Sequence, residues 1–200
     1  MIYNEVAMND QHYRLEKEYS IPIETFRAGY LAYQKKYVYL KSYVFIALFL
    51  LLAADFIHAA IKTPDNIFAY VLIMVCLGFA FREWYNPRKI RRSVCDSMAQ
   101  MQGTVYKLAV ADSFIDISTV SEVLPPQEED PEEAQEEENT APPEPTRIPI
   151  DGSLSVLEYD SFFLLVYGKA VFYIVPKDGF TEPEQDIMRN ISENRSQQEV

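Results

Sequence analysis

Two long apolar runs limit what this chain can fold into more than any other feature does. Residues 43–61 read YVFIALFLLLAADFIHAAI, and residues 67–81 read IFAYVLIMVCLGFAF. At 1.5 Å per residue the first run spans roughly 28 Å as a helix, close to the ~30 Å of bilayer hydrocarbon. A buried helix of a soluble domain usually keeps a polar stripe, and residues 45–54 have none. The second run is shorter, and Trp84 and Tyr85 extend it as an interfacial aromatic belt. Lys62-Thr63-Pro64-Asp65-Asn66 between them has turn chemistry. So short a link makes the helices antiparallel. The expectation is a transmembrane hairpin over residues 43–85.

Charge sets its orientation. Lys35, Lys36 and Lys41 precede the first run, and Arg82, Arg88, Lys89, Arg91 and Arg92 follow the second; the link carries only Lys62. Positive residues stay on the cytoplasmic side, so a multi-pass protein of the cell membrane with both termini cytoplasmic is expected. The start of the chain has no short apolar core with a cleavage site behind it, so the first helix is expected to be an uncleaved anchor. Asp55 and His58 lie three apart in the first run and share a helix face. Ionisable residues at membrane depth often handle protons or ions. The alternative is a pair near the outer interface that reaches headgroups or is satisfied against the second helix. One hairpin has too few helices to line a pathway unless it oligomerises.

The formal net charge of −12 is a misleading average. Ten acidic residues fall between Glu122 and Glu144 with no Lys or Arg among them, and the remainder is near neutral. Nothing here offers the basic surface that nucleic acid demands. The same stretch holds Pro125, Pro126, Pro131, Pro142, Pro143 and Pro145 and few apolar residues. It cannot bury enough surface to offset ordering, so a disordered insert over 121–146 is expected between two strands. It is either an acidic recruitment segment or a solvated loop. Cys76 and Cys95 show no CxxC spacing and read as structural thiols.

Residues 1–42 are expected to hold one or more strands, signalled by Tyr13, Leu15 and Tyr19, and then a helix starting near Pro22. Ile23, Phe26, Tyr30, Tyr33 and Tyr37 give that helix an aromatic face. It lies at the membrane interface or packs on the cytoplasmic domain. Asn86-Pro87 has the chemistry of a new helix start, which makes 86–103 a juxtamembrane helix with Ile90, Val94, Met98 and Met101 as its stripe. Arg88, Lys89, Arg91 and Arg92 are candidate contacts to anionic lipid or to a partner. They also serve simply to set topology.

From residue 104 to 200 the period becomes that of strands. Residues 105–110 and 114–118 flank Ala111-Asp112-Ser113 as a hairpin, and 162–167 and 170–175 flank Gly168-Lys169 as another. Thr181 and Glu184 form a capping box for a final helix with Ile187, Met188 and Ile191 as its apolar face. The fold class is therefore α+β: a two-helix transmembrane hairpin followed by a small β-barrel or sandwich of pleckstrin-homology-like type, closed by a C-terminal helix.

The run LEYDSFFLLVYGKAVFYIVPKDGF, within residues 151–180, resembles the C-terminal domain of the YcxB-like family of bacterial membrane proteins. Its most recognisable part is residues 174–180, IVPKDGF, and the upstream hairpin fits the same architecture. The acidic insert departs from that pattern. The resemblance implies a bacterial membrane location and a fold, and no activity.

No enzyme is expected. The two histidines are His12, in a polar tail, and His58, in the first apolar run. A Ser-His-Asp or Cys-His site in the β-rich part has no imidazole to use. The six glycines are too scattered for a phosphate loop. No cofactor or metal is expected. Lys177, in the Pro-Lys-Asp-Gly turn, is a candidate contact to a lipid phosphate or partner carboxylate; its alternative is an exposed turn lysine. The expected role is binding or scaffolding beside the lipid bilayer, with a protein partner or self-association. Lipid sensing through Lys177 and the basic segment is the second reading. A small transport component using Asp55 and His58 is the third.

Overall fold

The computed structural model describes residues 13–121, 123 and 145–196, with side chains as far as Ile191. His12 lies outside the described residues. So does the expected insert over 121–146, apart from Ser121, Val123, Pro145 and Thr146. The chain divides into two compact units, Met1–Gly29 with Met98–Val200, and Tyr30–Ser97.

The first unit carries the strands. β1 (Leu15–Ser20), β2 (Val105–Val110), β3 (Phe114–Ser121) and β4 (Thr146–Pro149) form one antiparallel sheet in that order. β5 (Leu154–Glu158), β6 (Phe162–Tyr167) and β7 (Val171–Pro176) form a second, and α4 (Glu182–Ser196) follows. β1 alternates as a half-buried strand should: Leu15 and Tyr19 are buried and Glu16 and Ser20 are exposed. It pairs along its whole length with β2, Leu15 opposite Val110 and Ser20 opposite Val105. Both helical runs lie between these two strands in the chain. The sheet is thus built jointly from residues before and after the helices, and not from residue 104 onward alone.

Leu108, Val110, Ile115 and Ile117 of the first sheet share one core with Val156, Phe163, Leu165 and Val175 of the second and with Met188 of α4. Burying each such side chain contributes about 1.5–3 kcal/mol. β6 is buried from Phe162 through Val166, as befits the central strand of three. The β6–β7 hairpin closes through Gly168 and Lys169, both at positive φ (58° and 64°), as a type I′ turn requires. Thr181 N–H donates to Glu184 Oε2 at 2.7 Å, the reciprocal half of the capping box that starts α4.

Of the two expected forms, barrel or sandwich, the barrel is not formed: two antiparallel sheets share a core, and among the described residues no ladder joins them. β4 has only four residues and is the edge of the first sheet; Ile150 still bonds to Ser113, while Pro149, in a pair whose N–H side faces away from β3, has no N–H to offer a further strand.

One continuous helical stretch runs through α1 (Ile23–Tyr33), a π-helical turn (Gln34–Val38) and α2 (Tyr39–Lys62). Phe26, Tyr30, Gln34, Val38 and Ser42 recur every four residues, a longer step than the 3.6 of an α-helix. Such a row drifts around the axis, and the wider π turn, closed by Tyr39 N–H to the Gln34 carbonyl, realigns it. In α2 the less exposed row is Ser42, Ile46, Phe49, Ala53, Phe56 and Ala60, a heptad spacing. α3 (Ile67–Gln100) has a matching row, Ala69, Ile73, Cys76, Ala80, Glu83 and Pro87. Phe49 stacks on Phe79 with ring centroids 5.3 Å apart. Outside these rows most apolar side chains of residues 43–81 are exposed: Leu51 by 70%, Phe68 by 80% and Met74 by 75%. Both helices are long and apolar enough to cross a membrane.

The separate juxtamembrane helix starting at Asn86-Pro87 is also absent, because α3 continues through Pro87. A proline inside a helix removes one hydrogen bond. Here Pro87 is buried in the packed row, and its carbonyl accepts a hydrogen bond from Gln34 Nε2 at 2.9 Å.

Candidate functional site

Among the described residues, the β unit holds a cavity of about 280 Å³. Tyr19 from β1, Tyr106 from β2, Ile117 to Thr119 from β3, Thr146 from β4 and Phe172 to Ile174 from β7 line it, together with Ile21, Phe26 and Met98. It is thus bounded by all four strands of the first sheet and by β7 of the second. No lining residue carries a charge. Ser118, Thr119 and Thr146 supply hydroxyls, and Tyr19, Tyr106 and Tyr173 supply phenols on apolar bodies. Tyr19 and Tyr106 are register partners with ring centroids 5.8 Å apart. Burial, and then the neighbouring Tyr106 and Tyr173, push the Tyr19 phenol above its ordinary range, so it stays a neutral donor. At one edge, Gly29 of α1 lies against Ile174; a Cβ there would stand 2.5 Å from Ile174 Cδ1. This cavity suits an uncharged, mostly apolar group that can accept a few hydrogen bonds.

Lys177 is not a free turn cation. Its Nζ donates to Glu158 Oε1 at 2.6 Å, stands 4.9 Å from the centre of the Phe163 ring, and its side chain is only 15% exposed. Arg189 of α4 reaches the same Glu158 and also pairs with Glu182 and Asp186. The Lys177 hydrogen bond, helped by Arg189, holds the Glu158 carboxyl below the usual carboxylate range. These contacts fasten the turn before α4 to the end of β5.

The basic cluster on α3 divides. Arg88 lies 4.2 Å over the Trp84 ring and donates to the Trp84 carbonyl at 2.5 Å. Arg91 donates to the Tyr39 hydroxyl at 3.3 Å. Arg92 reaches Asp96 at only 3.9 Å with its side chain 88% exposed, and Lys89 is exposed. Two cations are therefore engaged within the helices and two face outward.

Asp55 and His58 are both exposed on α2. No hydrogen bond or ion pair reaches either of them among the described residues. Each follows a residue of the packed row, Ala53 or Phe56, by two positions, and therefore sits on the far side of the helix.

Sequence reasoning missed the cavity and Gln34, which is 1% exposed in the π turn and accepts a hydrogen bond from the Tyr39 hydroxyl at 3.4 Å. The four-residue recurrence of Phe26, Tyr30 and Gln34 was the available signal for the turn. The cavity is formed by strands distant in sequence and has no local signature.

Comparison of the chain with protein-family models, curated proteins and solved structures finds no match.

Proposed function

We propose that the protein is a two-pass membrane anchor that presents a cytoplasmic binding module to a protein partner beside the bilayer. The observation that carries this reading is the exposed apolar surface of α2 and α3. A protein surrounded by water rarely leaves so much contiguous apolar surface open. The pairing of β1 with β2 adds support. Both ends of the helical segment return to one sheet, as they must if the chain crosses twice and both termini share a side. The Lys/Arg bias makes that side cytoplasmic.

Seven strands in two sheets followed by a helix support a pleckstrin-homology-like module, and with the resemblance at residues 151–180 they support a YcxB-like protein. The uncharged cavity and the internal pairing of Lys177 favour a protein group over an anionic headgroup as the module's ligand. The exposed Lys89 and Arg92 favour a second reading, sensing of anionic lipid by α3 rather than by the module.

Alkaline extraction of membranes containing the full chain tests the anchor; the protein stays in the pellet, and release to the supernatant overturns the reading. Photo-crosslinking from position 172 tests the module. One discrete protein adduct that disappears when Thr119→Arg fills the cavity supports it. Adducts to lipid alone would assign the module to lipid sensing.

A further inference from the structure

Asp55 and His58 belong to an exposed row of α2 that also holds Val44, Leu48, Leu51 and Lys62. Its spacing alternates between four and three, so it is a second heptad seam, offset by two residues from the row packed with α3. In a chain that crosses the bilayer, as proposed above, this seam faces lipid. Asp55 then lies seven residues from the end of α2 at Lys62, roughly 10 Å along the axis. An aspartate side chain is too short to reach headgroups over that distance, and a lipid-facing carboxylate is costly.

We infer that this seam is covered by the same seam of a second copy of the chain. The face is self-complementary in hydrogen bonding, since a carboxyl group can accept from an imidazole N–H. It carries an acid and an imidazole one helical turn apart, and a two-fold axis that brings Asp55 of one copy to His58 of its mate makes the reciprocal pair as well. Val44, Leu48 and Leu51 continue the same stripe with apolar side chains that can interdigitate. Among the described residues nothing competes for the two polar groups, since neither has a partner there. The pairing satisfies both groups at membrane depth without a third component, and it gives the hairpin the additional helices that a single copy lacks.

The test uses the full chain in native membranes. Leu51→Cys is expected to form a disulfide-linked dimer under mild oxidation. Phe68→Cys, on α3 and 80% exposed, is expected not to, and neither is the unaltered chain, whose Cys76 and Cys95 are buried. Two further variants are then made on the Leu51→Cys background with different tags. Asp55→Lys alone and His58→Glu alone each place like charges across the seam, and crosslinking should fall on the order of tenfold. Expressed together they restore both opposite-charge pairs, and a mixed dimer carrying both tags is expected. Asp55→Asn, a milder change, should give an intermediate loss.

Alkaline extraction of each sample separates the two readings. A protein that stays in the pellet but gives no Leu51→Cys dimer overturns the self-association and leaves the anchor standing. So does a dimer indifferent to Asp55→Lys, or a crosslink from position 51 to a different protein. Release from the pellet overturns both.

Discussion

Asp116 and Arg147 stand directly opposite each other on β3 and β4 and share two hydrogen bonds, Nε to Oδ1 at 2.9 Å and Nη2 to Oδ2 at 2.8 Å. The Arg147 guanidinium also lies 3.9 Å over the Phe114 ring, and Tyr13 donates to the same carboxylate at 3.1 Å. Asp116 is 5% exposed, so its carboxylate oxygens, out of reach of water, rely on these partners for their hydrogen bonds. Arg147→Met should therefore loosen the short edge strand β4. The expected result is faster hydrogen exchange at Ile148 and at Ile150, whose amide bonds to Ser113, with β6 unaffected. Arg147→Lys should rescue only in part, because an ammonium cannot form both parallel bonds.

Gly29 and Ile174 set a packing limit. Alanine at 29 gains about 1 kcal/mol of helix propensity. The new methyl would also stand 2.8 Å from Ile174 Cγ1, so the Ile174 side chain must shift at its base and not only at its tip, and such overpacking costs about 1–3 kcal/mol. Gly29→Ala should be net destabilising by about 1 kcal/mol in chemical unfolding of the detergent-solubilised chain. Ile174→Val removes the Cδ1 atom that the new methyl would meet at 2.5 Å, so the double variant should be more stable than the two single losses predict.

Lys169 is the one non-glycine residue at positive φ among the described residues. A side chain there costs on the order of 1–2 kcal/mol relative to ordinary backbone. Lys169→Gly should stabilise the β6–β7 hairpin by up to about 1 kcal/mol, the gain in strain being offset in part by the entropy of glycine. A higher unfolding midpoint checks it.

Glu158 gives the β unit a defined response to acid. Its pKa is depressed in the fold, chiefly by the Lys177 hydrogen bond, below its ordinary value of 4.5. The sign follows from linkage: the stabilisation is complete above the unfolded pKa and is lost as the pH falls through the lower folded value. Glu158→Gln should lower stability near neutral pH and matter progressively less below pH 4.5. The check is hydrogen exchange at the Lys177 amide, which bonds to the Ser161 carbonyl, across that interval. A difference between the two proteins that stays constant with pH would count against the ion pair as its source.

What could be read in the sequence was local. The Gly168-Lys169 hairpin, the Thr181–Glu184 capping box and the apolar helices each follow from a few neighbouring residues, and each is present. The β1–β2 ladder joins strands separated by the whole helical segment, so Leu15 and Tyr19 could signal a strand but not its partner. Pro87 matched the rule for a helix start, yet packing of the row from Ala69 to Pro87 outweighed one lost hydrogen bond. Lys177 looked solvated because the turn was visible and Glu158, on another strand, was not. The candidate pair Asp55 and His58 was legible, since helix period alone puts them on one face. Their exposure required the position of α3.

The β1–β2 ladder has a consequence for biosynthesis. During translation β1 emerges first and has no partner until both apolar helices and β2 have been made. In a membrane-inserted chain, a molecule that threads only one helix leaves β1 and β2 on opposite sides of the bilayer. Its first sheet then lacks an edge strand, its core lacks Leu15 and Tyr19, and α4 loses the Lys17 contact to Glu184. If the chain crosses the bilayer twice, as we propose, folding of the β unit acts as a check on insertion: only chains with both crossings completed close the sheet, and misthreaded copies present an unfinished domain to cellular proteases.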